Sequence, residues 1–363
     1  PQHPATCRRR RPRTPDPSLA GPSPDRQPAP FRPTTFHHHG IGFRDGPSLL
    51  LPADTTPMRA LVTGAAGFVG SHLVEHLLAE GDSVVGTDRS SGGPDLLDPS
   101  SLVDLFRDVR PDVVFHLAGQ ADVARSWTDP TLTIRTNTEG THHVLWAARA
   151  ADVRRVVTVT SADVYGIVGP DDLPLAEDAP FRPVSPYAAS KAMADLLAQQ
   201  AHLGHGQDVV RARSFNHFGP GQGEAGVCSA LAARIARCEL AGGTSITVGN
   251  LLARRDFTDV RDVVRAYRHL AVQGRAGQPY NVCSGTAVSI ETVLDVLLGL
   301  ADNAIEAIID QDLFRPVDLP ELRGDASRLH AETGWSPQHS MSATLSEVLD
   351  EWRERLRPDP EAD

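Results

Sequence analysis

Two side chains able to exchange protons stand four residues apart, at Tyr187 and Lys191 in the sequence SPYAASK. Residues at this spacing share one face of a helix. An ammonium group beside a phenol favours the phenolate, so we expect Lys191 to lower the pKa of Tyr187 from its usual value of about 10. Such a phenol can donate and accept a proton near neutral pH. The pair is a candidate for acid and base chemistry, although the same spacing also occurs on solvated helix faces.

The composition favours the functional interpretation of this pair. The chain has 35 Lys and Arg residues, and Lys191 is the only lysine among them. Guanidinium is a broad planar fork, whereas ammonium is a compact point charge with three donors. All the remaining basic side chains are arginines. This bias indicates that position 191 requires an ammonium group.

Short apolar runs alternate with helical patterns from Met58 onward, and this alternation predicts the elements that position the pair. It predicts an α/β fold with a doubly wound parallel sheet and ligands at the carboxyl ends of its strands. The run RRVVTVTS ends at Ser161 and brings a hydroxyl to that edge. Ser161 precedes Tyr187 by 26 residues, so the two can meet if the helix of Tyr187 packs against this strand.

A glycine motif follows the first strand. RALVTG and GAAGFVGSHLVEHLLAEG read as strand, tight turn and helix, with Gly64, Gly67 and Gly70 spaced as GxxGxxG. The glycines permit the turn, the approach of a pyrophosphate and close packing of the helix, whose N-terminus faces the phosphate charge. Phe68 and Val69 lie in the same first turn. We expect all five residues to bind a dinucleotide cofactor.

The strand ends that follow carry further candidates for cofactor binding. Asp88 ends the next strand, 18 residues after the last of the three glycines. A carboxylate there binds both ribose hydroxyls and repels a 2′-phosphate, which favours NAD, but Arg89 could accommodate that phosphate, so NAD(H) and NADP(H) both stay open. Asp95 and Leu96 lie where an adenine edge would come, or form a surface turn. Ala118, after PDVVFH, is small enough for a cofactor to lie against the backbone.

Residues 1–57 differ from the rest of the chain. They contain 13 of the 29 prolines, no Lys or Glu, an arginine run at Arg8–Arg11 and a histidine row at His37–His39. This composition cannot bury enough apolar surface to offset the ordering entropy, so we predict a disordered tail. The histidine row could hold a metal and the arginines an anionic surface, but solvated low-complexity sequence is favoured and no metal site is expected. An over-extended start before Met58 would explain the tail.

Charge and cysteine content restrict the partners. The net charge is −11, and the 8 Arg and 4 Asp of the tail contribute +4 to it, which leaves −15 for the remainder. Clustered positive charge is needed to bind phosphate backbones, so nucleic acid is not expected. No apolar run reaches the roughly 18 residues that cross a membrane. The four cysteines lack metal-ligand spacing and fit a reducing cytoplasm.

The region after Gly219 must supply a substrate lobe. RDFTDVRDVVRAYRHLAVQG and PYNVCSG read as a helix and a strand that return to the cofactor domain, so we expect interleaved domains. The predicted domains are a dinucleotide-binding domain at 58–217, to which 256–284 returns, and a smaller α/β lobe at 218–255 and 285–357.

These motifs together resemble the NAD-dependent epimerase/dehydratase family, the extended short-chain dehydrogenase/reductases that act on nucleotide sugars. The similarity runs from Met58 nearly to the end and includes RSFNHFGPGQ, RRDFTDVRDVV, YNVCSG and GDASRLHAETGW. It implies a Rossmann fold, a catalytic set of Ser161, Tyr187 and Lys191, and a homodimer formed through helices of the cofactor domain.

The resemblance also implies substrate contacts by position. Asn216 lies near the substrate, Arg255 on the pyrophosphate, and Arg315 with Asp318 on the ribose and phosphates. Arginine clamps diphosphate through paired hydrogen bonds and carboxylates suit ribose diols, which agrees with these roles. Arg255 could instead be solvated at a loop, and Asn216 could be a turn residue.

The implied reaction is hydride transfer from NAD(P)H to the C4 ketone of a 4-keto nucleotide sugar, with a GDP-sugar favoured. Ser161 would donate a hydrogen bond to the ketone, Tyr187 a proton, and Lys191 would hold the cofactor ribose. Dehydratases of the family usually carry Thr followed two positions later by Glu, where this chain has Ser161 and Asp163. The shorter Asp163 favours a reductase, while a dehydratase or 4-epimerase that retains its cofactor, and a non-catalytic dinucleotide-binding regulator, stay open.

Overall fold

A computed structural model describes residues 57–314 and 319–357 of the chain. The predicted disordered tail, apart from Pro57, lies outside the described residues. Two predicted substrate residues, Arg315 and Asp318, also lie outside them.

A six-stranded sheet forms the centre of the structure, and every neighbouring pair of strands is parallel. Its strands, in spatial order, are β2 (Ser83–Thr87), β1 (Arg59–Thr63), β3 (Val113–His116), β4 (Arg155–Ser161), β5 (Val209–Ser214) and β9 (Pro279–Val282). Strands β1 and β3 are nearly continuous apolar runs, as expected for strands covered on both faces, whereas β4 and β5 also bury threonine and arginine side chains. The predicted doubly wound parallel sheet is confirmed.

Helices cover both faces of this sheet through two separate apolar clusters. On one face lie α1 (Phe68–Ala79) and α8 (Val260–Gln273), and on the other α2 (Pro99–Val109), α5 (Gly140–Ala150) and α6 (Pro186–His205). The strand order changes direction at β1, which has β2 on one side and β3 on the other. Open α/β sheets bind ligands at the carboxyl ends of strands beside such a reversal, and the glycine turn follows β1 there.

The chain leaves the central sheet after β5. A second sheet contains β6 (Asn216–Phe218), β8 (Arg254–Asp259), β10 (Ala287–Ser289) and β12 (Glu321–Leu322), while β7 (Ser245–Val248) pairs with β11 (Glu306–Ile309). A separate apolar core packs these strands with α7 (Val227–Leu240), α9 (Ile290–Gly299) and α11 (Met341–Leu356). Because β9 returns to the central sheet between these elements, the order of the strands is interleaved. The domain boundaries themselves stay predictions.

Three short helices complete the described fold: α3 (Val123–Thr128), α4 (Pro130–Ile134) and α10 (Ser327–Thr333). A π-helical turn, Arg135–Glu139, joins α4 to α5. In the described part of the chain, no helix has both the length and the apolar character needed to cross a bilayer.

Local sequence explains where α6 begins and ends. Ser185 caps its N-terminus by accepting a hydrogen bond from the Ala188 nitrogen at 3.0 Å, and Pro186 occupies the first turn, where its missing N–H is not needed. Gly206 ends the helix in the left-handed conformation with φ of +68°. The helix therefore begins just before Tyr187 and carries Lys191 one turn further along.

Candidate active site

The serine and the tyrosine predicted to act together line the same cavity. Ser161 is the last residue of β4, and α6 packs against this strand, so that the Ser161 hydroxyl comes close enough to the Tyr187 phenol to lower its pKa. The Ser161 Oγ accepts from the Asp163 nitrogen at 3.1 Å, which caps the 3₁₀ turn that follows the strand. Two residues far apart in sequence thus form one buried polar pair at the carboxyl edge of the sheet.

This pair lines a cavity of about 530 Å³. Its walls come from the end of β4, the start of α6, the segment after β5 and the helix α3. A second cavity of about 240 Å³ shares Asn216, Glu224 and Arg255 with the first. Cavities of this size hold small ligands, and these two give room for an elongated one.

The predicted lowering of the Tyr187 pKa is wrong for this structure. Burial raises the pKa of Tyr187 well above its ordinary value, the Asp163 carboxylate raises it further, and the nearby Ser161 hydroxyl only partly offsets both. The physical reason is that the phenolate would be a buried anion near another anion. The Lys191 ammonium instead donates to the Val159 carbonyl oxygen at 3.2 Å. Tyr187 is therefore a protonated acid at neutral pH.

Lys191 is itself buried, and burial lowers its pKa from 10.5 to about 8. Its ammonium lies beside the turn after β3, because a Cβ added to Gly119 would be 3.7 Å from the Nζ atom. A lysine with this pKa is still mainly charged at pH 7 but releases its proton readily. The only lysine of the chain therefore places a poorly solvated cation behind the cavity.

Asn137, to which the sequence analysis assigned no role, connects the elements around Lys191. It lies in the π-helical turn, a distortion that often occurs at functional sites. Its Oδ1 accepts from the Gln120 nitrogen at 2.7 Å, and its Nδ2 donates to the Gln120 oxygen and to the Ser190 hydroxyl, both at 2.9 Å. The turn after β3 is thereby fixed to α6. No local sequence signal pointed to this residue, because its partners are distant in the chain.

His116 is a buried, neutral link of the same region. Its ring nitrogens are hydrogen-bonded to Thr63 at 2.9 Å and to Thr141 at 3.0 Å. Thr141 donates to the Asn137 carbonyl oxygen, so the histidine Nε2 must donate to Thr141 and its Nδ1 must accept from Thr63. Burial lowers the pKa of His116 to about 3, and the nearby Lys191 charge adds to the effect.

The glycine turn has the shape required by a bound pyrophosphate. Gly64 has φ of +77°, and a Cβ there would lie 2.7 Å from the Ala118 nitrogen. A Cβ on Gly70 would lie 2.0 Å from the Gly64 oxygen. Gly67 caps α1 without a side chain, and Phe68 and Val69 form the first turn. This crowded backbone at a helix N-terminus fits the dinucleotide predicted from the sequence.

The predicted adenosine end is a compact polar turn. The Asp88 Oδ1 accepts from the Ser90 nitrogen at 2.9 Å and from its hydroxyl at 2.7 Å. Arg89 is exposed and lies 3.5 Å from Asp95. Asp95 caps its own turn through the Leu97 nitrogen. The turn therefore presents an anion and a cation side by side, which suits either form of the cofactor.

The remaining predicted substrate residues that belong to the described part of the chain lie at the cavities. Asn216 and Arg255 line both cavities, and Asp163 lines the larger one. Leu96 packs against Gly140, where an added Cβ would approach its side chain to 3.0 Å. Arg255 Nη1 donates to the Leu319 oxygen at 2.7 Å, at the border of the undescribed segment.

His217, Trp127 and Glu224 also line the larger cavity, and the sequence analysis assigned none of them a role. His217 Nδ1 donates to the Phe215 oxygen at 3.1 Å, and its ring stacks on Phe68 with centroids 6.2 Å apart. The glycine turn and the cavity therefore share a wall. Within residues 57–314 and 319–357, no group of three His, Cys, Asp or Glu side chains is placed to hold a metal ion.

The fold and the glycine turn are those of a dinucleotide-dependent enzyme, and comparison with known proteins agrees. The chain belongs to the NAD dependent epimerase/dehydratase family, whose model matches residues 60–283. It is thus an NAD(P)-dependent enzyme of the extended short-chain dehydrogenase/reductase type, as the resemblance implied.

Among its relatives, a GDP-6-deoxy-D-mannose reductase from Pseudomonas aeruginosa is 37% identical over 82% of this chain and 98% of its own length. A UDP-glucose 4-epimerase from Mycolicibacterium smegmatis is 34% identical, with 82% of this chain and 99% of the relative covered. The structure of RMD from P. aeruginosa complexed with NADPH superposes with a TM-score of 0.75 at 37% identity, covering 82% of this chain and 99% of that one.

Proposed function

We propose that this protein reduces the C4 ketone of a 4-keto-6-deoxy nucleotide sugar, converting GDP-4-dehydro-6-deoxy-D-mannose to GDP-D-rhamnose. The main support is that Ser161 and Tyr187 come together at the cavity of about 530 Å³ next to the glycine turn. The choice of sugar and base rests on the 37% identity to the GDP-6-deoxy-D-mannose reductase.

Bound NAD(P)H supplies the hydride that C4 receives, and the chain's own residues act on the ketone oxygen. The Ser161 hydroxyl donates a hydrogen bond to this oxygen as it becomes negative. Tyr187 transfers its phenolic proton to it, and its raised pKa keeps that proton in place before the substrate is bound. Lys191 binds the cofactor ribose and supplies a positive charge one helical turn from the phenolate that remains.

The substrate would extend across both cavities. Its keto sugar lies in the larger cavity near Asn216, and its nucleoside occupies the smaller one. Arg255 lines both and is suited to the diphosphate between them, because a guanidinium forms paired hydrogen bonds with phosphate oxygens. Arg315 and Asp318 are proposed to contact the ribose and phosphates.

The test is turnover of GDP-4-keto-6-deoxymannose with each reduced cofactor, followed by determination of the product stereochemistry. Tyr187→Phe should abolish turnover while NADPH still binds, because only the proton donor is removed. Lys191→Arg should also lose most activity, since it keeps the charge but not the shape. Near-normal turnover by Tyr187→Phe would end the proposal.

A 4,6-dehydratase is the second candidate, because Asp163 lines the cavity and acts on Tyr187 electrostatically. Dehydration needs a base at C5, which Asp163 could provide, whereas simple reduction does not. A reductase consumes one NAD(P)H for each product, while a dehydratase or a 4-epimerase consumes none. Asp163→Asn should spare reduction and abolish dehydration. Binding without turnover across a panel of 4-keto sugar nucleotides would instead indicate a regulator.

We also propose a homodimer formed through α5 and α6. These helices pack side by side and leave large apolar side chains in solvent: Trp146 is 57% exposed, Leu196 53% and Leu203 74%. Exposed apolar surface of this kind marks interaction sites. Light scattering at micromolar concentration should give a dimer mass that Trp146→Glu reduces to that of a monomer. A monomeric parent protein would refute this arrangement.

A cytoplasmic location is proposed as well. Cys228, Cys238 and Cys283 are all buried free thiols, as expected for a protein from a reducing compartment. Cell fractionation tests this, and recovery of the protein outside the cytoplasmic fraction would contradict it.

A further inference from the structure

A buried charge cluster lies behind the Ser-Tyr-Lys site. Asp195 is on α6, four residues after Lys191 and eight after Tyr187, so the three side chains share one face of the helix. Its carboxylate is completely buried. It accepts from Arg211 Nη1 at 2.6 Å and from Arg213 Nε at 2.9 Å and Nη2 at 3.0 Å. The two arginines alternate along β5 and therefore point to the same face of the sheet.

The cluster contacts the elements that carry Ser161, Asp163 and Tyr187. On β4, Thr160 donates to Asp195 Oδ2 at 3.2 Å and immediately precedes Ser161. Arg213 Nη1 donates to the Tyr165 hydroxyl at 3.1 Å, in the turn that contains Asp163.

Arg213 also extends to the segment between that turn and α6. Its Nη1 donates to the Glu177 oxygen at 2.7 Å, and its guanidinium carbon lies 4.6 Å from the centre of the Phe181 ring. Asn216 follows three residues later, where β5 gives way to β6. One buried carboxylate thus ties together β4, β5, α6 and the segments that join them.

Stability by itself does not account for such a cluster. Removing two arginines and a carboxylate from water costs several kcal/mol for each ion, and apolar side chains of the same volume often stabilise a core equally well. Charged hydrogen bonds add geometric specificity, because a planar guanidinium holds both carboxylate oxygens in one geometry. Such a cluster is suited to hold neighbouring elements at a position fixed to a fraction of an ångström.

We propose that Asp195 is a positioning residue for the reduction: it holds α6 against β4 so that the Tyr187 phenol stays at Ser161 and within reach of the ketone. This inference rests on the proposed function. It places the main effect of Asp195 on the chemical step, because most of the residues proposed to bind cofactor and substrate lie on elements other than α6.

The test compares Asp195→Asn with a matched control, Asp262→Asn. Asp262 is also fully buried and paired with an arginine, Arg265, and it accepts from the Gln338 and His339 nitrogens. Neither carboxylate lines the cavities. Both variants lose stability through a buried ion pair, so a purely structural role would affect activity equally in the two.

We expect Asp195→Asn to lower kcat at least tenfold, with KM for the keto sugar and Kd for NADPH changed less than threefold. Its solvent deuterium isotope effect on kcat should rise, because a misplaced donor makes proton transfer limiting. Asp262→Asn should keep kcat within twofold and leave the isotope effect unchanged. Equal kcat values per folded molecule in the two variants would overturn the inference.

Two further arms keep the inference testable. If Asp195→Asn does not fold, Arg213→Lys is the second variant. The lysine keeps the charge but cannot bond both carboxylate oxygens together with Tyr165 and Glu177, so it should lower kcat several-fold. A normal kcat in Arg213→Lys would overturn the inference. Crystal structures provide an arm that does not depend on turnover: Asp195→Asn should separate Tyr187 from Ser161, and Asp262→Asn should not. An intact contact in both overturns the inference, whereas an inactive parent protein overturns only the proposed function.

Discussion

Replacing Lys191 with methionine should make the protein more stable and inactive. Folding lowers the pKa of Lys191 from 10.5 to about 8 by burial. That gap corresponds to about 3 kcal/mol of penalty for keeping the ammonium charged in the folded state. Methionine has a similar length and no charge, but it loses the hydrogen bond to the Val159 oxygen, worth about 1 kcal/mol. The expected net gain at pH 7 is about 2 kcal/mol.

The sign of the pH dependence follows from the depressed pKa of the lysine. Below about pH 8 both the folded and the unfolded lysine are protonated, so the full penalty is present. Between that pH and 10.5 the unfolded chain holds a proton that the folded chain has released, so wild-type stability rises with pH relative to the variant. The advantage of Lys191→Met should therefore shrink steadily across this interval.

Chemical denaturation of both proteins at pH 7, 8.5 and 9.5 measures the difference directly. Tyr187→Phe is the control, because it alters the neighbouring buried group without removing a titrating amine, and its stability difference should stay flat over this range. A variant no more stable than wild type at pH 7, or a difference that does not change with pH, would refute the assignment of Lys191 as a buried, poorly solvated cation.

Three other changes test single contacts. Gly64→Ala should prevent cofactor binding, because φ is +77° and the new Cβ would lie 2.7 Å from the Ala118 nitrogen. Unchanged affinity in a fluorescence titration with NADPH would contradict the assignment of the glycine turn as the pyrophosphate site. Arg89→Ala should weaken NADPH binding about tenfold and spare NADH, since only the former carries a 2′-phosphate; equal losses in calorimetric titrations would argue against that contact. Stability should fall as the pH drops from 6.5 towards 3, because folded His116, with a pKa of about 3, stays neutral while the unfolded histidine takes up a proton. His116→Gln should flatten that slope, and parallel stability curves would refute the prediction.

The features around the candidate site that the structure shares with the sequence-based expectation depend on local backbone geometry, while the roles of the site residues stay predictions. The helical period places Tyr187 and Lys191 on one face wherever the helix lies. A left-handed turn needs glycine at position 64 whatever surrounds it. The strand that ends at Ser161 was also evident, because its apolar run stops at a polar residue. Similar reasoning gave the parallel sheet and the interleaved order of the strands.

The incorrect prediction concerned a property that depends on distant groups. The pKa of Tyr187 is set by its burial and by Asp163, which arrive from different elements, and neither can be read from the spacing to Lys191. Asn137 and Asp195 escaped notice for the same reason. Their partners lie between 16 and 53 residues away in the chain, so no short motif contains them.

The sequence by itself determined the family, the fold class and the chemical types at the site, because strand, helix and turn preferences act over a few residues. Only the tertiary structure decided that the tyrosine is a protonated acid, that the lysine is poorly solvated, and that a buried carboxylate joins the strands and the helix around them. Protonation and rigidity are set by solvent exclusion and by charges across the fold, and these exist only after the chain has packed.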